Sequence, residues 1–158
     1  SSREDAAVIV DRVCALLGVN AACATQDRSL PWKPQQDFAP WTTGMTEQAQ
    51  RLGIDAESAG WLLRRHGARA DRVFRIVEET LQLAARILPD LPFIHADLVF
   101  CAGDEMVLHL VDLLRRRMPL LILAKLDEQD LRRLAELVAP QLGWDADRVA
   151  REVEACRR

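Results

Sequence analysis

Closely spaced glycines, paired cysteines and long apolar runs are all missing from this chain of 158 residues, and each absence removes a class of function. The glycines stand at 18, 44, 53, 60, 67, 103 and 143. None are near enough to one another to build a G-x-G-x-x-G turn or a P-loop, both of which need backbone to approach phosphate with no side chain in the way. Cys14, Cys23, Cys101 and Cys156 contain no C-x-x-C pair, and a domain of this length buries enough surface to fold without disulfide staples. Reduced, cytosolic thiols are therefore expected. No unbroken apolar run, Leu120-Leu121-Ile122-Leu123-Ala124 among them, exceeds five residues, far short of the ~20 that span a bilayer, so no transmembrane segment is expected.

The first residues, Ser1-Ser2-Arg3-Glu4-Asp5, include no initiator Met and no basic-then-apolar signal layout; they read as the start of a piece of a longer chain. The formal net charge of -3 disfavours a polyanionic partner, which rewards a segregated basic face, and no nucleic acid is expected.

What is present is helical periodicity over a composition ordinary for a globular domain. The expected fold is all-α, one compact multi-helix domain over residues 1–158 with a long loop containing aromatics and prolines near the N-terminus. Ala6, Ile9, Val10, Val13, Leu16 and Leu17 make a stripe on a first helix, expected to be buried, that opens at Ser2 and ends at Gly18. From Val19 to Gly44 the periodicity lapses, and Pro31, Pro34 and Pro40 alternate with Trp32, Phe38 and Trp41; these aromatics are expected to cover the domain's own core.

Thr46 and Asp55 are N-cap candidates for two short helices, the second closing at His66 with Gly67 as a left-handed C-cap. Asp71 opens a longer helix reaching Leu88, and a further helical stretch runs from His95 to Arg117, open to interruption at Gly103-Asp104. Leu120 to Leu123 reads equally as a strand or a turn of helix. Asp127 or Asp130 starts another helix, and Asp145 caps the last.

The best catalytic constellation is Glu105, His109 and Asp112, which stand at i, i+4 and i+7 and so are expected on one helical face. A carboxylate-bridged metal needs a matching set on a second helix, and neither His66 nor His95 supplies one, so the preferred reading is salt bridges and surface hydrogen bonds. His66 shares a face with Leu62 and Leu63 and reads as a core-edge residue. Arg64, Arg65, Arg69, Arg72 and Arg75 would serve a DNA-binding reading, but Asp71, Glu78 and Glu79 stand at spacings that neutralise Arg75. Arg115, Arg116 and Arg117 complement the carboxyl end of a helix dipole, and a guanidinium fork there would equally suit a partner's carboxylate or phosphate. No residue of the chain is expected to be catalytic, to bind a cofactor or to hold a metal.

Four ordered segments carry a resemblance. They are Leu62-Leu63-Arg64-Arg65-His66-Gly67-Ala68-Arg69-Ala70; Pro92-Phe93-Ile94-His95-Ala96-Asp97-Leu98-Val99-Phe100 with Asp104-Glu105; Asp112-Leu113-Leu114-Arg115-Arg116-Arg117; and Leu142-Gly143-Trp144 followed by Arg151-Glu152-Val153. With Cys23, Thr25 and Leu30-Pro31 ahead of them, nearly the whole chain resembles the C-terminal helical domain of bacterial FAD-dependent, quinone-linked glycerol-3-phosphate dehydrogenases. The resemblance implies that the complete protein oxidises sn-glycerol 3-phosphate to dihydroxyacetone phosphate, with FAD held in a preceding FAD and substrate domain that would be this domain's partner. It implies a structural or interface role for Asp97, Glu105, Asp112, Arg116 and Arg117. It also implies a cytoplasmic protein, and leaves a peripheral place on the inner membrane open to the whole enzyme. The chain departs from the family pattern at His66, Phe100 and Cys156, where tyrosine is usual, at Met118-Pro119 and at Gly103. The competing readings are a free-standing helical interaction module docking through Trp32 to Trp41 and Arg115 to Arg117, and a regulator using Arg64 to Arg75 on DNA.

Overall fold

The computed structural model describes residues 2–157. Along them run α1 (Ser2–Leu17), α2 (Phe38–Arg51), α3 (Ala56–His66), α4 (Ala70–Glu79), α5 (His95–Asp104), α6 (Leu110–Asp112), α7 (Leu120–Leu123), α8 (Glu128–Leu142) and α9 (Ala146–Cys156). Short 3-10 turns cover Gly67–Arg69 and Leu81–Ala84, and a π turn covers Leu113–Arg117. Among the described residues the only β pairing is an isolated antiparallel bridge between Arg86 and Ile94, so the all-helical expectation holds. No described helix is long and apolar enough to cross a membrane. The chain divides into two units, one ending at Lys33 and one from Pro34 onward.

The first unit departs from expectation. α1 forms where the periodicity placed it, and Gly18, at φ 68°, closes it with bonds from Gly18 N–H to the Ala15 carbonyl and from Val19 N–H to the Cys14 carbonyl. Yet none of its residues is buried, and Ile9, Val10, Val13, Leu16 and Leu17 are all exposed. The periodicity reported the helix correctly; what the stripe faces is a separate matter.

In the second unit, α2 begins at Phe38, within the stretch expected to be loop. Pro40 is tolerated because it falls in the first helical turn, where backbone N–H groups have no intrahelical partner to lose. Thr46, expected as an N-cap, lies inside the helix, and its hydroxyl donates back to the Thr42 carbonyl at 2.8 Å, as Thr42 does to Phe38 at 2.7 Å. Of the loop's aromatics, Trp41 joins the core while Phe38 and Trp32 stay exposed.

α4 ends at Glu79, two turns short of the expected Leu88. Leu83, Ala84, Ile87 and Leu88 still pack on the core, but from a 3-10 turn and extended backbone, so the apolar pattern outlives the helix. Arg86 fixes that extended stretch by donating to Asp55, Glu57 and the Pro89 carbonyl. Leu120 to Leu123 settles as the helical turn α7.

The core centres on α5. Seven consecutive residues, Ala96 to Ala102, are buried there, because α4 and α8 pack against it while Phe74, Phe93, Leu110, Leu113 and Leu114 fill the surrounding space. A helix covered on all sides leaves any ionised group on it without water, and that is the condition under which Asp97 must be accommodated.

Asp127 and Asp145 cap α8 and α9 through their side chains, as the sequence suggested. Asp55 does more: its carboxylate accepts the Glu57 and Ser58 N–H groups, both at 3.1 Å, the Ser58 hydroxyl at 2.7 Å, and two N–H groups of Arg86 at 2.7 and 3.0 Å. The Arg86 hydrogen bonds, followed by those from Ser58, hold the Asp55 carboxyl well below the usual carboxylate range despite some burial. Because the folded value lies below the unfolded one, this contribution is complete at neutral pH. It fades as pH falls below ~4 and through the folded value. Asp55→Ala should cost ~1–2 kcal/mol by urea unfolding at pH 7. Asp55→Asn keeps the cap and loses only the partly exposed ion pair, so it should cost less than ~1 kcal/mol.

Candidate functional site

Asp97 has no solvent exposure at all, and an unpaired carboxylate there would cost several kcal/mol. Its Oδ1 lies 2.7 Å from His66 Nε2, and its Oδ2 accepts from Arg65 Nη1 at 3.2 Å. The Cys101 thiol, one turn on, donates to Oδ1 at 3.4 Å. Arg65 is bound on both sides, since its Nη2 also reaches Cys101 Sγ at 3.3 Å and Glu105 Oε2 at 3.8 Å. Glu105 takes Arg69 at 3.4 Å, and Asp104 pairs with Arg72.

The spacing explains the pairing. Asp97, Cys101 and Asp104-Glu105 recur one turn apart on α5, while Arg65-His66 at the end of α3, Arg69 in the 3-10 turn and Arg72 in α4 advance at the matching rate. Gly67, at φ 55°, ends α3 with the positive φ expected of it and lets the chain pass from α3 into that turn. Phe100 stands among the arginines: the His66 ring meets it edge-on at 5.0 Å, and the Arg69 and Arg72 guanidinium carbons lie 5.8 and 5.4 Å from its centroid. Two of the positions where the sequence departs from the family's tyrosines, His66 and Phe100, are thus in contact.

A second buried acid, Glu152 on α9, accepts the Leu110 N–H at 2.9 Å and so holds the start of α6. Its other oxygen is 2.7 Å from Arg148 and 3.0 Å from His109 Nδ1.

The shared face of Glu105, His109 and Asp112 does not exist. Met106, at φ 53° and almost fully exposed, breaks the helix just after Glu105, slightly past the expected Gly103-Asp104. Glu105 goes to Arg65 and Arg69, His109 to Glu152, and Asp112 to Arg116 on the surface, so all three make ion pairs or hydrogen bonds, as the preferred reading had it. Arg117 is exposed, as are Arg115 and Arg116. Of the five arginines a DNA reading would use, Arg65, Arg69, Arg72 and Arg75 each pair with a carboxylate, and Arg64 is exposed. His66 is fully buried rather than at the core's edge. Arg65, Cys101, Arg148 and Glu152 carry no signal in apolar periodicity, which reports faces but not which charge is dry.

His66, Asp97 and Cys101 place three ligand-type atoms within 4.8 Å of one another. The donors are already engaged: the Arg65 guanidinium sits against both Asp97 and Cys101, where a dication would meet a fixed positive charge. Burial, followed by the neighbouring Asp97 charge, pushes the Cys101 thiol far up, away from the thiolate that metals and electrophiles need. The cluster is built to hold a carboxylate in the core.

A family model described as the C-terminal domain of alpha-glycerophosphate oxidase matches residues 23–149. The chain belongs to that family. A glycerol-3-phosphate dehydrogenase of Synechocystis is 27% identical over 148 residues, covering 92% of this chain and 26% of its own length. A mitochondrial glycerol-3-phosphate dehydrogenase of Arabidopsis thaliana is 30% identical over 105 residues, 66% of this chain and 16% of the relative. The chain therefore spans about a quarter or less of the curated relatives it matches. No solved structure matches it.

The glycines of this domain make no G-x-G-x-x-G turn by which backbone approaches a pyrophosphate, and Asp55, Asp127 and Asp145 accept N–H groups at the N-termini of α3, α8 and α9.

Removing the central acid should strand Arg65: Asp97→Ala is expected to cost ~3–5 kcal/mol in denaturant unfolding. The thiols should separate cleanly as well. Cys23, exposed and with its thiol lowered chiefly by the Thr25 hydroxyl 3.2 Å away, should react with a disulfide reagent in the native protein. Cys101 should react only on unfolding.

Proposed function

We propose that this chain is the C-terminal accessory domain of an FAD-dependent glycerol-3-phosphate dehydrogenase. The complete enzyme oxidises sn-glycerol 3-phosphate to dihydroxyacetone phosphate, delivering a hydride to the flavin and electrons onward to quinone or oxygen; FAD and substrate are held by a preceding domain of the same polypeptide. The observation that supports this most directly is the family match over residues 23–149 together with the small share of each dehydrogenase relative that the chain accounts for. The four free cysteines are in keeping with a cytoplasmic protein.

On this reading the flavin performs the redox chemistry and this domain contributes a rigid body. Asp97 and Glu105 keep α5 joined to α3 and α4, which is a structural role. Asp112, Arg116 and Arg117 stand on the surface as candidates for contact with the preceding domain.

Residues 1–158 alone are expected to purify colourless and to leave glycerol 3-phosphate unoxidised in a dye-reduction assay, while the complete gene product carries flavin and turns over. Bound flavin in the 158-residue piece, or a complete protein with neither flavin nor turnover, would contradict the assignment.

A further inference from the structure

The apolar face of α1 has no use within its own unit. The segment 21–25 folds back along one flank of the helix, forming with Ala6, Ala7, Val10 and Cys14 a groove of about 350 Å³, and Ala7 and Cys14 are accordingly half-covered. The rest of the stripe, Ile9, Val13, Leu16 and Leu17, lies open, with Leu16 and Leu17 each more than 70% exposed. Four aliphatic side chains in line on a helix that Gly18 closes make a face that soluble proteins keep for packing against something else. The sequence similarities divide at the same place. The domain model begins at residue 23, after α1, whereas the Synechocystis similarity covers 92% of the chain and so reaches back past that boundary into the helix. At least the end of α1 is thus shared with the Synechocystis relative, although the match to the domain model begins after the helix.

We infer that the Ile9-Val13-Leu16-Leu17 face of α1 is an interaction surface whose occupant is the preceding, flavin-bearing body of the same polypeptide. This rests on the proposed function. The chain accounts for only 26% of the Synechocystis relative, so such a body is large enough to cover one helix face in full. α1 then belongs energetically to the body before it, and segment 19–33 joins it to the helical domain that begins at Pro34. An apolar helix face needs an apolar groove without unpaired polar atoms, which the interior side of a folded domain provides and a charged surface does not.

The test uses the complete protein with Leu16 replaced by an aliphatic diazirine amino acid of nearly the same size, and a second version carrying the same group at Glu4, on the opposite side of the helix. After irradiation, cross-links are mapped by mass spectrometry, and the flavin spectrum is recorded on the same sample. Most of the product from position 16 should join residues N-terminal to the domain in the same chain, and the group at position 4 should be quenched by water. Cross-links from position 16 only to residues 34–157, only to a second copy, or a loss to water equal to that at position 4, would overturn the inference. The two readings fail separately. A flavin-bearing protein with any of those patterns loses only the docking surface. A protein without flavin that still cross-links to its own upstream part loses only the enzymatic assignment.

Discussion

One carboxylate in a dry helix sets the terms for the rest of the larger unit. α5 is covered by α4, α8 and the aromatic and aliphatic side chains around them, and Asp97 sits in the middle of that covered stretch. A charge in such a place is stable only if its partners are fixed, and they arrive together as Arg65 and His66. The register of α3 against α5 follows, because a shift of one residue on either helix would carry the donors off the acceptor. The same device extends outward through Arg65–Glu105, Arg69–Glu105 and Arg72–Asp104, becoming wetter and weaker with each step. Buried ion pairs are seldom a large net source of stability; their effect is to make alternative packings expensive.

Glu152 repeats the arrangement at the other end. Its carboxylate takes the place of a side-chain cap on α6 and ties that short segment to α9, next to the π turn bearing Arg115, Arg116 and Arg117. The three arginines are thereby presented from a stretch too short to be stable alone, held by Leu113, Leu114 and Met118 in the core.

Much of this was legible in the sequence. Helix content, the aspartate caps at 55, 127 and 145, and the end of α1 at Gly18 follow from local rules that act over one turn. The extent of α4 and the fate of the 95–117 stretch did not follow, because both depend on where nonlocal contacts pull the chain. Arg86 reaching Asp55 draws residues 85–88 out of the helix, and the charges after Asp104 do not reveal that Met106 will take a positive φ. The network around Asp97 was half visible. Its members lie in the segments that suggested the family, but periodicity has no means of separating a buried acid from an exposed one, so His66 reads as a core-edge residue and Cys101 not at all. The burial of α1 was misjudged for a related reason, since an apolar stripe shows that a face will be covered and not by what.

The central claim is that Asp97 and Arg65 are mutually dependent, and a double-mutant cycle tests it most directly. Arg65→Met and Asp97→Leu, singly and together, would be compared by chemical denaturation at pH 7. Each single change should be strongly destabilising and the pair should recover much of the loss, with a coupling of at least ~2 kcal/mol. Additivity to within ~0.5 kcal/mol would mean that the two groups are neighbours rather than partners, and would contradict it.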